Sequence, residues 1–157
     1  MPQTPSPHGS RIVVGFENRR SSLAALRWGI GAAEAGGVPL VVVHATNAGV
    51  AVRNGPSSAI AYRLGGPLWA SVYSLVHGLG APSDTETIVE TGKPADVLAR
   101  HVGDNDVVVL GARGRLRVGR DLQRLLESRS NCSVVRVGES SLVTASPRVV
   151  QPNLVQA

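Results

Sequence analysis

The sequence predicts one α/β domain whose parallel sheet is wound doubly between two layers of helices. Strand-like and helix-like segments alternate along the 157 residues, and that order points to right-handed crossovers and a parallel sheet. The run Pro39–Ala45 reads as continuously apolar, as expected of a central parallel strand covered on both faces. Aromatics make up only 3% of the chain against 43% hydrophobic residues overall, so Val, Leu, Ile and Ala have to fill the core. The length suits one domain rather than two.

Residues 1–10 carry Pro and Ser and read as a disordered tail. Arg11–Phe16 (RIVVGF) is the first strand. Ser21 and Ser22 offer an N-cap for a helix to about Ala35, with Leu23, Leu26, Ile30 and Ala33 on one face and Gly36-Gly37 as the stop. Pro39–Ala45 (PLVVVHA) is the second strand. Residues 46–66, with Asn54-Gly55-Pro56 and Gly65-Gly66, read as a long loop. Leu68, Val72, Leu75, Val76 and Leu79 then recur at helical spacing.

Thr85–Glu90 is the third strand, and Pro94 opens a short helix through Val97, Leu98 and Val102. Asp106–Gly111 is the fourth strand; Val118, Leu122, Leu125 and Leu126 mark the last helix; Ser133–Val137 is the fifth strand. The domain is thus expected over 11–137, with 138–157 as an unstructured tail.

No apolar run reaches the ~20 residues of a membrane-spanning helix. The first ten residues lack a basic and an apolar region, so no secretory signal is expected. With one cysteine, Cys132, there is no internal disulfide framework, and a cytoplasmic location is expected. The net charge is +5, and fifteen of the sixteen basic residues are Arg. Seven of them lie between Gly111 and Val137, opposed there only by Asp121 and Glu127, so the basicity is local. With almost no aromatics available for base stacking, sequence-specific nucleic-acid recognition is not expected, and only salt-sensitive polyanion contact remains open.

Four stretches in order carry a family resemblance. Val13-Val14-Gly15-Phe16-Glu17 with Ser22-Leu23-Ala24-Ala25-Leu26-Arg27-Trp28 resembles the opening of a universal stress protein. Val41–Ala45 is similar to its second strand, Thr91–Leu98 to its turn into the third helix, and Asp106–Gly114 to its strand and glycine turn. The resemblance implies a five-stranded parallel sheet in the order 3-2-1-4-5, flanked by four helices. It implies ATP or a related adenine nucleotide, with magnesium, as ligand. It also implies a homodimer formed through the fifth strand at Val134, Val135 and Val137, where an unpaired apolar edge would need covering.

On that resemblance the nucleotide site draws on Phe16, Glu17, Asn18, Val43, Gly111, Arg113, Gly114, Arg115, Gly119 and Arg120. Glycines let backbone amides approach phosphate oxygens, and a Gly-Ser/Thr pair after nine further residues opens a helix toward the anion. Gly111 and Gly114 match the first part. The later pair is replaced by Arg124-Leu125, or in a shorter spacing by Gly119-Arg120. Asn18 stands where the family has Gly and tolerates positive φ.

Each signal has a plainer reading. Gly111 and Gly114 also suit a strand-to-helix turn, and the arginines a solvated helix face. Arg113 and Arg115, flanking the glycines, are the best placed for a bidentate phosphate contact. His44 reads as a satisfied histidine near the core and Cys132 as a small buried hydrophobe. His8, His77 and His101 form no metal-ligand pattern, and no nucleophile–base pair is visible. The expected role is a non-catalytic, nucleotide-responsive stress protein acting on an unknown protein partner. The alternative is an interaction module without nucleotide.

Overall fold

The computed structural model describes residues 11–17, 20–46, 51–53, 58–112, 116–129, 131–139 and 143–145. Among them, β1 (Ile12–Gly15), β2 (Leu40–Thr46), β4 (Glu86–Thr91), β5 (Val107–Gly111) and β6 (Ser133–Val137) form the parallel sheet, and β3 (Ala51–Arg53) and β7 (Val143–Ala145) are short antiparallel strands. The helices are α1 (Arg20–Gly36), α2 (Ser58–Gly78), α3 (Pro94–His101) and α4 (Leu116–Arg129). The sheet order is β3-β4-β2-β1-β5-β6-β7, so the five parallel strands stand as 3-2-1-4-5 in their own sequence order, as expected.

Alternate residues of each strand face opposite layers. Ile12, Val14, Val42, Val89, Val109 and Val135 pack with Leu26, Ile30 and Val76 of α1 and α2. Val13, Val41, Val43, Ile88, Val108 and Val134 pack with Val97 and Leu98 of α3 and Leu126 of α4. Small residues bring the layers close. A Cβ on Gly29 of α1 would lie 2.5 Å from Val14 Cγ2. Cys132 is fully buried within the α3/α4 layer, the role its residue type suggested. No described helix is long and apolar enough to cross a membrane.

The glycine stop of α1 takes the expected form. Gly37 is at φ +61, Val38 N donates to Ala33 O at 3.1 Å and Gly37 N to Glu34 O at 3.3 Å, a Schellman ending. Gly80, at φ +89, ends α2 the same way, with Ala81 N on Val76 O. Pro94 stands in the first turn of α3 after Lys93, where its missing N–H costs nothing.

Three expectations need correction. Residues 46–66 are not one loop, since they contain β3, and α2 already begins at Ser58. Gly65-Gly66-Pro67 reads as a breaker, yet it lies inside a helix that rests on β3 and β4. Tertiary contact outweighs propensity there. Residues 138–157 are not structureless throughout, because Val143–Ala145 forms β7. Finally, α1 starts at Arg20, so Ser21 and Ser22 lie in its first turn rather than capping it.

Candidate functional site

The site is set by where the chain changes direction on the sheet. From β1 the connection through α1 leads to β2 on one side; β5 lies on the other side of β1 and is followed by α4 on the opposite face. In open α/β sheets such a switch point opens a crevice beyond the carboxyl ends of the strands. Gly15 stands beside Val43 of β2 and Leu110 of β5, so the ends of these three strands form one rim.

Phe16 is buried, and both of its backbone groups are tied to β2. Its N–H donates to Val43 O at 2.8 Å, and its carbonyl accepts from His44 Nδ1 at 2.8 Å. Because a carbonyl only accepts, Nδ1 of His44 carries the proton. The two rings sit 5.9 Å apart. His44 is therefore the satisfied near-core histidine expected, and it also fixes the backbone just before Glu17. The Glu17 N–H donates to Ser22 Oγ at 3.1 Å, so a serine of α1 holds the backbone at Glu17 from within the helix. Val43 is buried on the other face, which leaves only its backbone at the rim.

Gly111 has a structural reason to be glycine. A Cβ there would lie 2.7 Å from Ser21 C, 2.8 Å from Ser21 O and 2.8 Å from Ser22 N. These are backbone atoms and cannot swing aside. The end of β5 thus abuts the first turn of α1, and Gly111 and Glu17 both lie against Ser22. Asn18, Arg113, Gly114 and Arg115 lie outside the described residues. Gly119 and Arg120 fall inside α4, which begins at Leu116. The helix's free N–H groups belong to residues before Gly119, so neither Gly119-Arg120 nor Arg124-Leu125 opens it. The distal half of the phosphate motif has no counterpart in α4. Farther along that helix, Arg124 and Arg129 are exposed, Gln123 donates to Glu127 at 3.1 Å, and Leu126 faces the core, as a solvated face requires.

The dimer edge also differs from expectation. Val134, Val135 and Val137 are buried within the protomer, and the outer edge of β6 is paired to β7 through Val135↔Ala145, Arg136↔Thr144 and Val137↔Val143. The unpaired edge that motivated a dimer there is occupied by the chain's own next strand.

The opposite end of the sheet holds a cluster that sequence reasoning missed. The Asp106 carboxylate, 4% exposed, accepts from Arg11 Nη2 at 2.8 Å, Arg11 Nε at 3.3 Å, Arg11 N at 3.1 Å and Gly103 N at 2.8 Å. Arg11 Nη2 also reaches His101 O at 2.9 Å. This network ties the amino ends of β1 and β5 to α3.

The parallel sheet and its switch point beside β1 define an open, doubly wound α/β fold. The chain belongs to the universal stress protein family, whose family model matches residues 9–137. Among solved structures it is similar to a universal stress protein in complex with cAMP, at 21% identity and a TM-score of 0.53, covering 84% of this chain and 99% of that one. It is similar to a universal stress protein from Archaeoglobus fulgidus at 20% identity and 0.51, covering 81% and 92%. Universal stress protein UspA from Lactobacillus plantarum aligns at 16% identity and 0.55, covering 82% and 97%. At these identities the likeness is one of fold. No curated protein sequence matches the chain.

Proposed function

We propose that this chain binds ATP or a related adenine nucleotide, with magnesium, at the rim formed by β1, β2 and β5, and that the bound state biases a protein partner rather than driving catalysis. The observation that carries the reading is the abutment of Gly111 on the first turn of α1, beside the anchored backbone of Glu17 at the switch point. Glu17 is the acceptor for the nucleoside. The arginines at 113, 115 and 120 replace the missing Gly-Ser/Thr pair at the phosphate end, since guanidinium groups pair bidentately with phosphate. A universal stress protein of the same fold holds cAMP, which supports an adenine ligand as the first one to try.

A second reading has its own support. Gly111 is explained by packing alone, and α4 starts too early for the distal motif to open it. On this reading the chain is an interaction module without nucleotide. Native mass spectrometry of the purified protein separates the two. A co-purified adenine nucleotide supports the first reading. A bare protein that also fails to take up added ATP supports the second.

A further inference from the structure

Helices α1 and α2 share one face of the sheet but lie on different ground, and the difference is independent of any nucleotide. α1 crosses β1, β2, β5 and β6, on Ile12, Val14, Val109 and Val135, all apolar. α2 rests on β3 and β4, at one edge of the sheet. There Thr87 of β4 stands opposite Val42 of β2, so its side chain points into the α1/α2 layer. Thr87 is 0% exposed, and among the described residues its Oγ1 has no hydrogen-bond partner. His77, in the last turn of α2, buries Nε2 without a partner as well. Each of these atoms has left water and gained no bond in exchange, which works against the closed helix.

The helix also has a weak point in its own backbone. Pro67 has no N–H to donate to the preceding turn, and Gly65-Gly66 stand just before it. Helices bend or break at such places. Beyond it, Trp69 stacks on Tyr73 at 4.9 Å and Tyr73 meets His77 at 4.2 Å, so the aromatic column travels with the helix. Trp69 Nε1 reaches Thr87 O only at 3.5 Å, a long bond to the sheet.

We propose that residues 67–78 are a detachable segment of α2, which breaks at Gly65-Gly66-Pro67 and leaves β4 as a unit while the parallel sheet stays folded. Detachment returns Thr87 Oγ1 and His77 Nε2 to water. It uncovers Trp69, Val72 and Val76, the apolar line that the closed helix buries. The rim belongs to β1, β2 and β5 and is held by α1, so it stays in place. The domain can thus present an apolar surface at one edge without dismantling the carboxyl ends of its central strands.

Native-state hydrogen exchange on the full chain at rising urea tests this. A detached helix of this length does not hold in water, so its amides exchange when it leaves. The amides of residues 71–78 should share one opening, at least about tenfold more frequent than that of residues 25–33 in α1. Its urea dependence should be shallower, because less surface is exposed than in global unfolding. Thr87→Val keeps the shape and removes the unpaired hydroxyl, so exchange in 71–78 should slow about tenfold. Equal exchange in the two helices, α2 amides that open one by one from the end, or a Thr87→Val variant with unchanged exchange overturns the proposal. If Thr87→Val fails to fold, the first two outcomes in wild type decide.

Discussion

Strands β1 and β5 lie side by side, yet their two ends are finished differently. At the amino end a charged side chain does the joining: Asp106 gathers four N–H groups, three of them from Arg11, and the end is closed. At the carboxyl end the join is backbone against backbone, with Gly111 on Ser21 and Ser22 and Phe16 held by Val43 and His44. The first join is made by side chains, whereas the second is made by a glycine that adds no side chain of its own. The first end ties β1, β5 and α3 together. On the proposed function, the second holds the fold together and also meets the ligand.

Substitutions at the two ends should separate these roles. Asp106→Ala should have the largest effect on stability, about 2–4 kcal/mol, because it leaves the Arg11 guanidinium without its carboxylate at a half-buried site. Urea denaturation would measure the loss, and nucleotide affinity of the folded fraction should not change. Gly111→Ala should cost about 1–3 kcal/mol, since its methyl meets backbone that must shift. Unlike Asp106→Ala, it should also weaken any ligand, because the shift moves the first turn of α1 and with it the anchor of Glu17. If Gly111→Ala leaves both stability and binding intact, the contrast between the ends fails.

Smaller effects sharpen the same contrast. His44→Ala should lose about 1 kcal/mol with the bond to Phe16 O, read as a modest drop in the thermal midpoint. Arg129→Ala, on the exposed face of α4, should stay within about 0.5 kcal/mol by the same measurement.

The parallel core was legible because most of its strands are largely apolar runs and the ends of α1 and α2 are glycines with a local reason. The short strands β3 and β7 were not, since three residues show no period and both lie among Gly, Ser and Pro. The start of α2 was hidden by Gly65-Gly66-Pro67, whose local preference the sheet overrides. At the site, the ends of the parallel strands could be read from the sequence. Their partners could not. The Ser21–Gly111 contact and the Arg11–Asp106 pair join residues far apart in the chain, and nothing in the local pattern of either member names the other. Ser22 was visible as a capping residue, but its role changed once the helix began at Arg20.

The central claim is that the carboxyl-end rim holds a nucleotide chiefly by its anionic end, with arginine in place of the missing hydroxyl. Calorimetric titration of ATP, ADP and AMP into wild type, Arg113→Ala and Arg129→Ala at low and high salt tests it most directly. Affinity should fall from ATP to AMP and weaken steeply as salt rises. Arg113→Ala should lose about 1.5–3 kcal/mol of binding, the worth of a charge-assisted hydrogen bond, while Arg129→Ala should match wild type. Equal affinities for the three nucleotides, or an Arg113→Ala variant that binds as well as wild type, would contradict the account.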